Sequence, residues 1–429
     1  MIRRFLAVGT AIALLLALTT APATAAPGST QDSPDTQFAW LVDASARVPL
    51  PADEVAAHLD SPLLSAVGGV DGFNQTLASL GTLTAGAVVD RTPTELRQVV
   101  GSAVGELLGT LTVNPAGLIA GLRFSPHLPA PTSWEQVDAA LGSLAPRVSF
   151  AAATITPEGC APVHGLNERT ARPLGSAFKL YVLGALAREV RAGRLSWDTG
   201  LPLRESWKSF PSGVLQDQPD GTVLTLAEHA EHMISISDNT ATDHLIHLLG
   251  RGEVQRQFAR FGNTTPNSPM PTTRELLTLK GFQYPAAATV YTALPQRLRE
   301  AALNAVGRVP RTAVQPWTEP RAIDQLEWFG SPVDMCAAMA GLWQGHDPQL
   351  AKAMSINDGG IALPSARFPT IWFKGGSEPG VLTLSYLVRR DDGTLLTASA
   401  MLSDPENALD EATAAPQVLA VLRGALQLA

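Results

Sequence analysis

Three prolines in eight residues, Ser125-Pro-His-Leu-Pro-Ala-Pro-Thr132, prevent any helix or inner strand from running through this stretch. The segment reads as a stiff connector. It divides the chain into a short front part and a long rear part. A length of 429 residues fits that division, because single hydrophobic cores stop growing well below it. The boundaries it implies are a small α+β domain over 38–124, a linker over 125–133 and a larger domain over 134–429. Ahead of them, Met1-Ile-Arg-Arg4 is basic and Phe5 to Leu18 is apolar apart from Gly9 and Thr10. Ala23-Thr-Ala25 then offers small residues for a cut after Ala25. That order is that of a secretory signal peptide over residues 1–25. The apolar run falls short of the ~18–20 residues a membrane span needs. The expectation is an exported, secreted protein with no stable membrane span. Residues 26–37 are small and polar and are expected to form a disordered lead-in.

Charge narrows the range of partners. The chain has 31 Lys+Arg against 39 Asp+Glu, a net charge of −8, so no basic field exists to hold a nucleic acid. Lysine is scarce, with only five in the chain. Two cysteines, Cys160 and Cys336, rule out a disulfide-rich scaffold or a multi-cysteine zinc module. An exported chain would let them pair, although their wide separation in sequence gives no geometry.

Local patterns place the elements. Pro51-Ala-Asp-Glu54 and Thr92-Pro-Thr-Glu95 each predict a helix start. Leu107 to Val113 and Leu118 to Phe124, split by Asn114-Pro-Ala-Gly117, predict a hairpin. In the rear part, helices are expected near Trp134–Leu144, from Ser176 to about Arg191, at Thr225–Ile236 and at Thr240–Leu249. A last helix is expected from Pro416 to Leu428, with its proline in the first turn. Strands are expected at Val148–Thr154, Thr370–Phe373, Val381–Arg389 and Thr394–Leu402. Strands at both ends with helices between imply an α+β domain, an antiparallel sheet flanked by helices.

Three short boxes carry the chemistry. Ser176-Ala-Phe-Lys179 is an S-x-x-K, and Ser176 is the only serine three residues before a lysine. At a helix start these positions share a face, so the amine can take the hydroxyl proton and the serine can attack a carbonyl. The helix N-terminus would aim backbone N–H groups at the oxyanion. Ser237-Asp-Asn239 follows, with a hydroxyl suited to relaying a proton and an amide suited to holding a substrate amide. The same tripeptide is also an ordinary helix cap. Lys374-Gly-Gly376 comes after the strand-like Ile371-Trp-Phe373. On an edge strand its lysine would face a cleft and its glycines would admit a substrate, although a strand leaving through a glycine turn looks the same. Two of only five lysines in matching boxes, in this order, make coincidence a poor explanation.

The order S-x-x-K, S-D-N, K-[T/S/G]-G resembles the class A β-lactamases and penicillin-binding proteins. The likeness extends to Arg172-Pro-Leu-Gly-Ser-Ala-Phe-Lys179, Gly193-Arg-Leu-Ser-Trp-Asp198 and Met233-Ile-Ser-Ile-Ser-Asp-Asn-Thr-Ala-Thr-Asp243. With Phe373-Lys-Gly-Gly-Ser-Glu-Pro-Gly380 and the small front domain, the chain resembles a two-domain branch of β-lactamase-like proteins. That branch includes a protein encoded in the clavulanic acid cluster. The resemblance implies a β-lactamase-like sheet with an all-helical part, and a front domain like the cone of ketosteroid isomerases. It implies Ser176 as nucleophile, Lys179 as base, Ser237 as proton relay and Asn239 as substrate contact. Lys374 would hold a substrate carboxylate beside Gly376, and the N–H groups of Ser176 and Ser377 would form the oxyanion hole. The substrate would be a small molecule, a β-lactam, ester or peptide-like amide, and no cofactor or metal is called for. The alternative is a protein that binds such molecules with little turnover.

Several features depart from that pattern. The E-x-x-L-N loop that supplies a water-activating Glu in class A enzymes is missing. Glu275, in Thr272-Thr-Arg-Glu275, takes its place as candidate base, against a plain capping box. Gly375 replaces a hydroxyl residue, and the long interval from Ser237 to Lys374 implies an insertion over 281–319. These changes favour weak β-lactamase or esterase activity over fast turnover. His229, His232, His244 and His247 lack a metal-binding pattern such as H-E-x-x-H and read as helix faces. The front domain has no tyrosine and a single histidine, His58, so it reads as a docking or lid domain rather than a second enzyme.

Overall fold

The computed structural model describes residues 33–429, so the expected signal segment, 1–25, and most of the lead-in lie outside the described residues. The chain divides into two compact units. Ala130–Ile361 and Phe368–Ala429 form the larger one, and the described residues up to Pro129 form the smaller one together with Ala362–Arg367.

The smaller unit has four helices, Pro34–Ser45, Ala52–His58, Ser61–Ala66 and Gly69–Leu80. An antiparallel sheet follows, its strands Thr84–Arg91, Glu95–Ser102, Gly105–Val113 and Ile119–Pro126 in sequential order. Phe38, Leu41, Val55, Phe73 and Leu77 pack with Leu96, Val100, Leu107 and Leu111 in its core. Two expectations are corrected here. The lead-in was expected to be disordered up to residue 37, but Ser33 caps a helix that starts at Pro34 and buries Gln37 and Phe38. Thr92-Pro-Thr-Glu95 opens no helix. The Thr92 hydroxyl accepts from the N–H groups of Thr94 and Glu95, as at a helix cap, but the chain continues into a strand. Leu96 and Val100, at even spacing, enter the core, so tertiary burial overrides the cap.

The larger unit is built on a five-stranded antiparallel sheet. Its order is Thr370–Glu378, Val381–Arg389, Leu395–Ser403, Arg147–Thr156, Gly159–Leu166. Val381–Arg389 is buried at every position except Arg389, so it is covered on both faces. The C-terminal helix packs on the sheet and on Trp134–Gly142, while Pro332–Trp343 and Pro348–Ser355 also pack on strands. A helical part, with Lys179–Arg191, Leu226–Ser235, Asn239–Leu249, Arg251–Arg260 and Thr273–Gly281, shares a core around Leu180, Tyr181, Met233 and Leu245. The terminal helix spans Glu411–Leu428 rather than starting at Pro416. Asp410 caps it, and Pro416 lies inside at the expense of one backbone hydrogen bond. Cys160 and Cys336 form a disulfide that ties the edge strand Gly159–Leu166 to the Pro332–Trp343 helix. Among the described residues, no helix is long and apolar enough to cross a membrane.

Candidate active site

Ser176 lies in a single 3-10 turn, Gly175–Phe178, just before the Lys179–Arg191 helix. The sequence implied an α-helical start, but the tighter turn serves the pair better, because positions i and i+3 eclipse in a 3-10 helix. The Lys179 side-chain nitrogen, Nζ, lies 3.1 Å from Ser176 Oγ. Lys179 is fully buried. Its Nζ also reaches the Ser237 carbonyl at 2.6 Å, Ser237 Oγ at 3.0 Å and Asn239 Oδ1 at 2.7 Å. Burial, and then repulsion from Lys374, hold its proton affinity well below that of an ordinary lysine. A neutral amine 3.1 Å from a hydroxyl is a competent base.

Ser237 is presented by backbone strain. Its φ of 57° is left-handed, which is uncommon for a serine and fits a site that aims a side chain. Its carbonyl accepts from the Ser212 hydroxyl at 2.7 Å. Ser237 Oγ also lies 3.0 Å from Lys374 Nζ, so this one hydroxyl bridges both lysines. The cap reading of Ser237-Asp-Asn239 holds as well: Asp238 accepts from Ala241 N at the start of the Asn239–Leu249 helix. Asp238 also accepts from the N–H groups of Val214 and Leu215, fixing the loop that runs beside the box. Asn239 is committed at both ends of its amide, accepting from Lys179 and donating to the Phe210 carbonyl at 3.1 Å.

Lys374 lies on the edge strand Thr370–Glu378, as its motif implied. Its Nζ donates to Gly375 O at 2.6 Å, and desolvation brings it down to about 7. Gly376 lets this strand approach the nucleophile turn: a side chain there would meet Leu174 O at 2.2 Å and Ser176 N at 2.4 Å. The backbones of Ser176 and Ser377 are thereby brought side by side. Ser176, Lys179, Ser237, Asn239, Lys374, Gly376 and Ser377 thus form one cluster.

Glu275 is not part of it. Its carboxylate closes the capping box with Thr272 and forms a two-pronged pair with Arg251, at 2.9 and 2.6 Å. The residue that reaches toward the site from this segment is Thr273, whose hydroxyl contacts Asn239 O at 3.3 Å, Asp243 Oδ1 at 2.9 Å and Ser209 Oγ at 2.7 Å. The motifs assign no role to Asp243, which ends the stretch that resembles the second box. It is fully buried and, despite donation from Thr273 N, Thr273 Oγ1 and Arg274 N, desolvation raises it to about 7. Its one signal was spacing, four residues after Asn239 on the same helix face. The histidines act as structural groups. His244 Nε2 accepts from Arg204 N and its Nδ1 donates to Thr240 O, while His229 contacts Leu201 O. In the smaller unit, His58 stacks on Trp40 and bonds to Gln37.

The profile of the Beta-lactamase enzyme family matches residues 161–415. No curated protein is similar to the chain in sequence. Among solved structures, a β-lactamase from Sphaerobacter thermophilus is 22% identical, covering 70% of this chain and 97% of its own, with a TM-score of 0.49. PBP-A is 19% identical, covering 70% and 99%, with a TM-score of 0.46. An ancestral class A β-lactamase is 17% identical, covering 68% and 98%, with a TM-score of 0.49.

Proposed function

The chain belongs to the β-lactamase enzyme family, and from that premise we propose that it is an exported serine hydrolase that acylates readily and releases its acyl group slowly. The observation that carries this reading is the buried Lys179 amine, 3.1 Å from Ser176 Oγ and held below the usual lysine range. Ser176 gives its proton to Lys179 and its Oγ bonds to the substrate carbonyl carbon. The negative charge on the former carbonyl oxygen is met by the N–H groups of Ser176 and Ser377. Collapse of that intermediate breaks the bond to the leaving nitrogen or oxygen. Ser237 Oγ, bridging the two lysines, hands over the proton. Lys374 in its ammonium form attracts a carboxylate on the substrate. A β-lactam or a small activated ester fits this scheme, with no cofactor.

Slow release follows from the commitment of Glu275 to Arg251. A protein that is acylated with almost no turnover is the limiting case. Export is supported by the order of basic, apolar and small residues at the start of the chain. The Cys160–Cys336 bond, of a kind that persists in oxidising compartments, supports it too. The test is intact mass after incubation with penicillins and activated esters. The wild type should gain one acyl mass, located on the peptide that contains Ser176, and Ser176→Ala should gain none. Labelling of Ser176→Ala at the wild-type rate would overturn the mechanism.

A further inference from the structure

A second charged cluster lies against the nucleophile turn and is made of residues that the chemistry above does not use. Lys280, Glu327 and Glu378 have side chains 0%, 2% and 10% exposed. Lys280 Nζ lies 3.3 Å from Glu327 Oε1 and also donates to Glu378 Oε1. Glu327 turns its other oxygen, Oε2, to two backbone donors, Gly175 N at 3.2 Å and Trp328 N at 3.1 Å. Gly175 immediately precedes Ser176, and Glu378 immediately follows Ser377. The cluster therefore touches both chain segments that carry Ser176 and Ser377.

We propose that Lys280, Glu327 and Glu378 are positioning residues that set the spacing between the N–H groups of Ser176 and Ser377. The proposal rests on the acyl-enzyme reading. Glu327 holds one segment through Gly175 N, Glu378 is the strand's own anchor, and Lys280 joins them.

The surroundings show a clamp rather than a casual ion pair. Trp328, next to Glu327, stacks on Phe178 with ring centres 3.7 Å apart, and its carbonyl accepts from Leu174 N at 2.8 Å. The turn that carries Ser176 is thus gripped at Leu174, Gly175 and Phe178. Gly175 has a φ of +49°, and a side chain there would come within 3.0 Å of Ser377 N, so nothing bulky can separate the segments. Lys280 is itself tethered: its carbonyl accepts from Arg321 Nη1 at 2.6 Å, and the Arg321 guanidinium lies 4.6 Å from the centre of the Tyr284 ring. Two carboxylates and one ammonium leave one negative charge unbalanced. Burial raises Glu378 well above the carboxylate range, so a proton retained there removes that charge from beside the oxyanion. A buried ion pair is weak evidence for stability, because apolar residues of similar volume often do as well. The hydrogen bond to Gly175 is what apolar replacement would lose.

The test uses the full chain and a fluorescent penicillin, with saturation constant and maximal acylation rate measured separately. Glu327→Leu should lower the maximal rate at least thirtyfold and leave the saturation constant within threefold. Glu327→Gln, which keeps an acceptor for Gly175 N, should return the rate to within threefold of wild type. Glu378→Leu and Glu378→Gln should behave as the same kind of pair, so a folding failure in one apolar variant leaves the other to decide. Near-UV circular dichroism measures the folded fraction. Apolar variants that are folded and acylate at the wild-type rate would overturn the proposal. So would rate losses that only track the unfolded fraction. A wild type that is never labelled at Ser176 would overturn the acyl-enzyme reading and this proposal with it, whereas a labelled wild type with unresponsive variants would overturn this proposal alone.

Discussion

Lys374 at about 7 is only partly an ammonium at neutral pH, and that makes its role measurable. Binding of a carboxylate-bearing substrate should weaken as pH rises through about 7, by at most tenfold per unit, while a neutral ester should show no such trend. Lys374→Arg should remove the decline, because a guanidinium keeps its charge. KM against pH for a penicillin and for an uncharged ester checks both outcomes. Stability follows a related sign. The folded value lies below the ordinary ~10.4, so between about 7 and ~10.4 the unfolded chain binds more protons than the folded one. The lysine's contribution therefore makes stability rise with pH across that window. Ser237→Ala removes the hydroxyl between the two lysines and should cost about 2–4 kcal/mol of transition-state stabilisation, read as kcat/KM. The residues involved here were legible in the sequence because each motif is local. Ser176 and Lys179 needed only an i,i+3 spacing, and two of five lysines fell in ordered boxes. Glu327 and Lys280 were not legible, and Asp243 only by its i,i+4 spacing from Asn239, since their partners lie 30 to 152 residues away.

At the scale of elements, the same local signals both succeed and mislead. Thr272-Thr-Arg-Glu275 was open to two readings, a catalytic acid or a capping box, and the side chains realise the capping box. Thr92 has a cap-like hydroxyl in front of a strand, because Leu96 and Val100 gain more from the core than the cap gains from a helix. Inner strands such as Val381–Arg389 were found from their apolar runs, whereas Gly159–Leu166, half-buried at the far edge, offered no such run. That edge strand is held by the Cys160–Cys336 bond across 176 residues of chain. Replacing both cysteines with serine should lower unfolding free energy by about 2–5 kcal/mol. Denaturant unfolding should show the loss, and reductant should produce a similar shift in the wild type but none in the double variant.

Across the larger unit, the groups needed for acylation converge while three carboxylates on the neighbouring helices, Asp238, Asp243 and Glu275, are already committed. Residues 176–179 from the turn, 237–239 from the helical part and 374–377 from the edge strand meet at one hydroxyl. Glu275 is spent on Arg251 and Thr272, and Asp238 and Asp243 each accept three hydrogen bonds from neighbouring groups. Acyl-enzyme should therefore form and persist, and mixing with excess penicillin should give a burst close to one product per enzyme followed by slow turnover. Each tenfold in acyl-enzyme lifetime corresponds to ~1.4 kcal/mol of missing transition-state stabilisation. A simple ester, whose acyl group needs less help from a positioned base, should turn over faster than the penicillin. Glu275→Gln separates the two roles of that residue. It should leave the slow phase within twofold of wild type, because the carboxylate does not serve the water. It should also lower stability by about 1–3 kcal/mol, because Gln keeps one acceptor for Arg251, 13% exposed, but loses the charge and the second acceptor oxygen. A slow phase that falls at least tenfold in Glu275→Gln while thermal stability is unchanged would assign Glu275 to catalysis. Rapid, burst-free hydrolysis of penicillin by the wild type would show that another group activates the water.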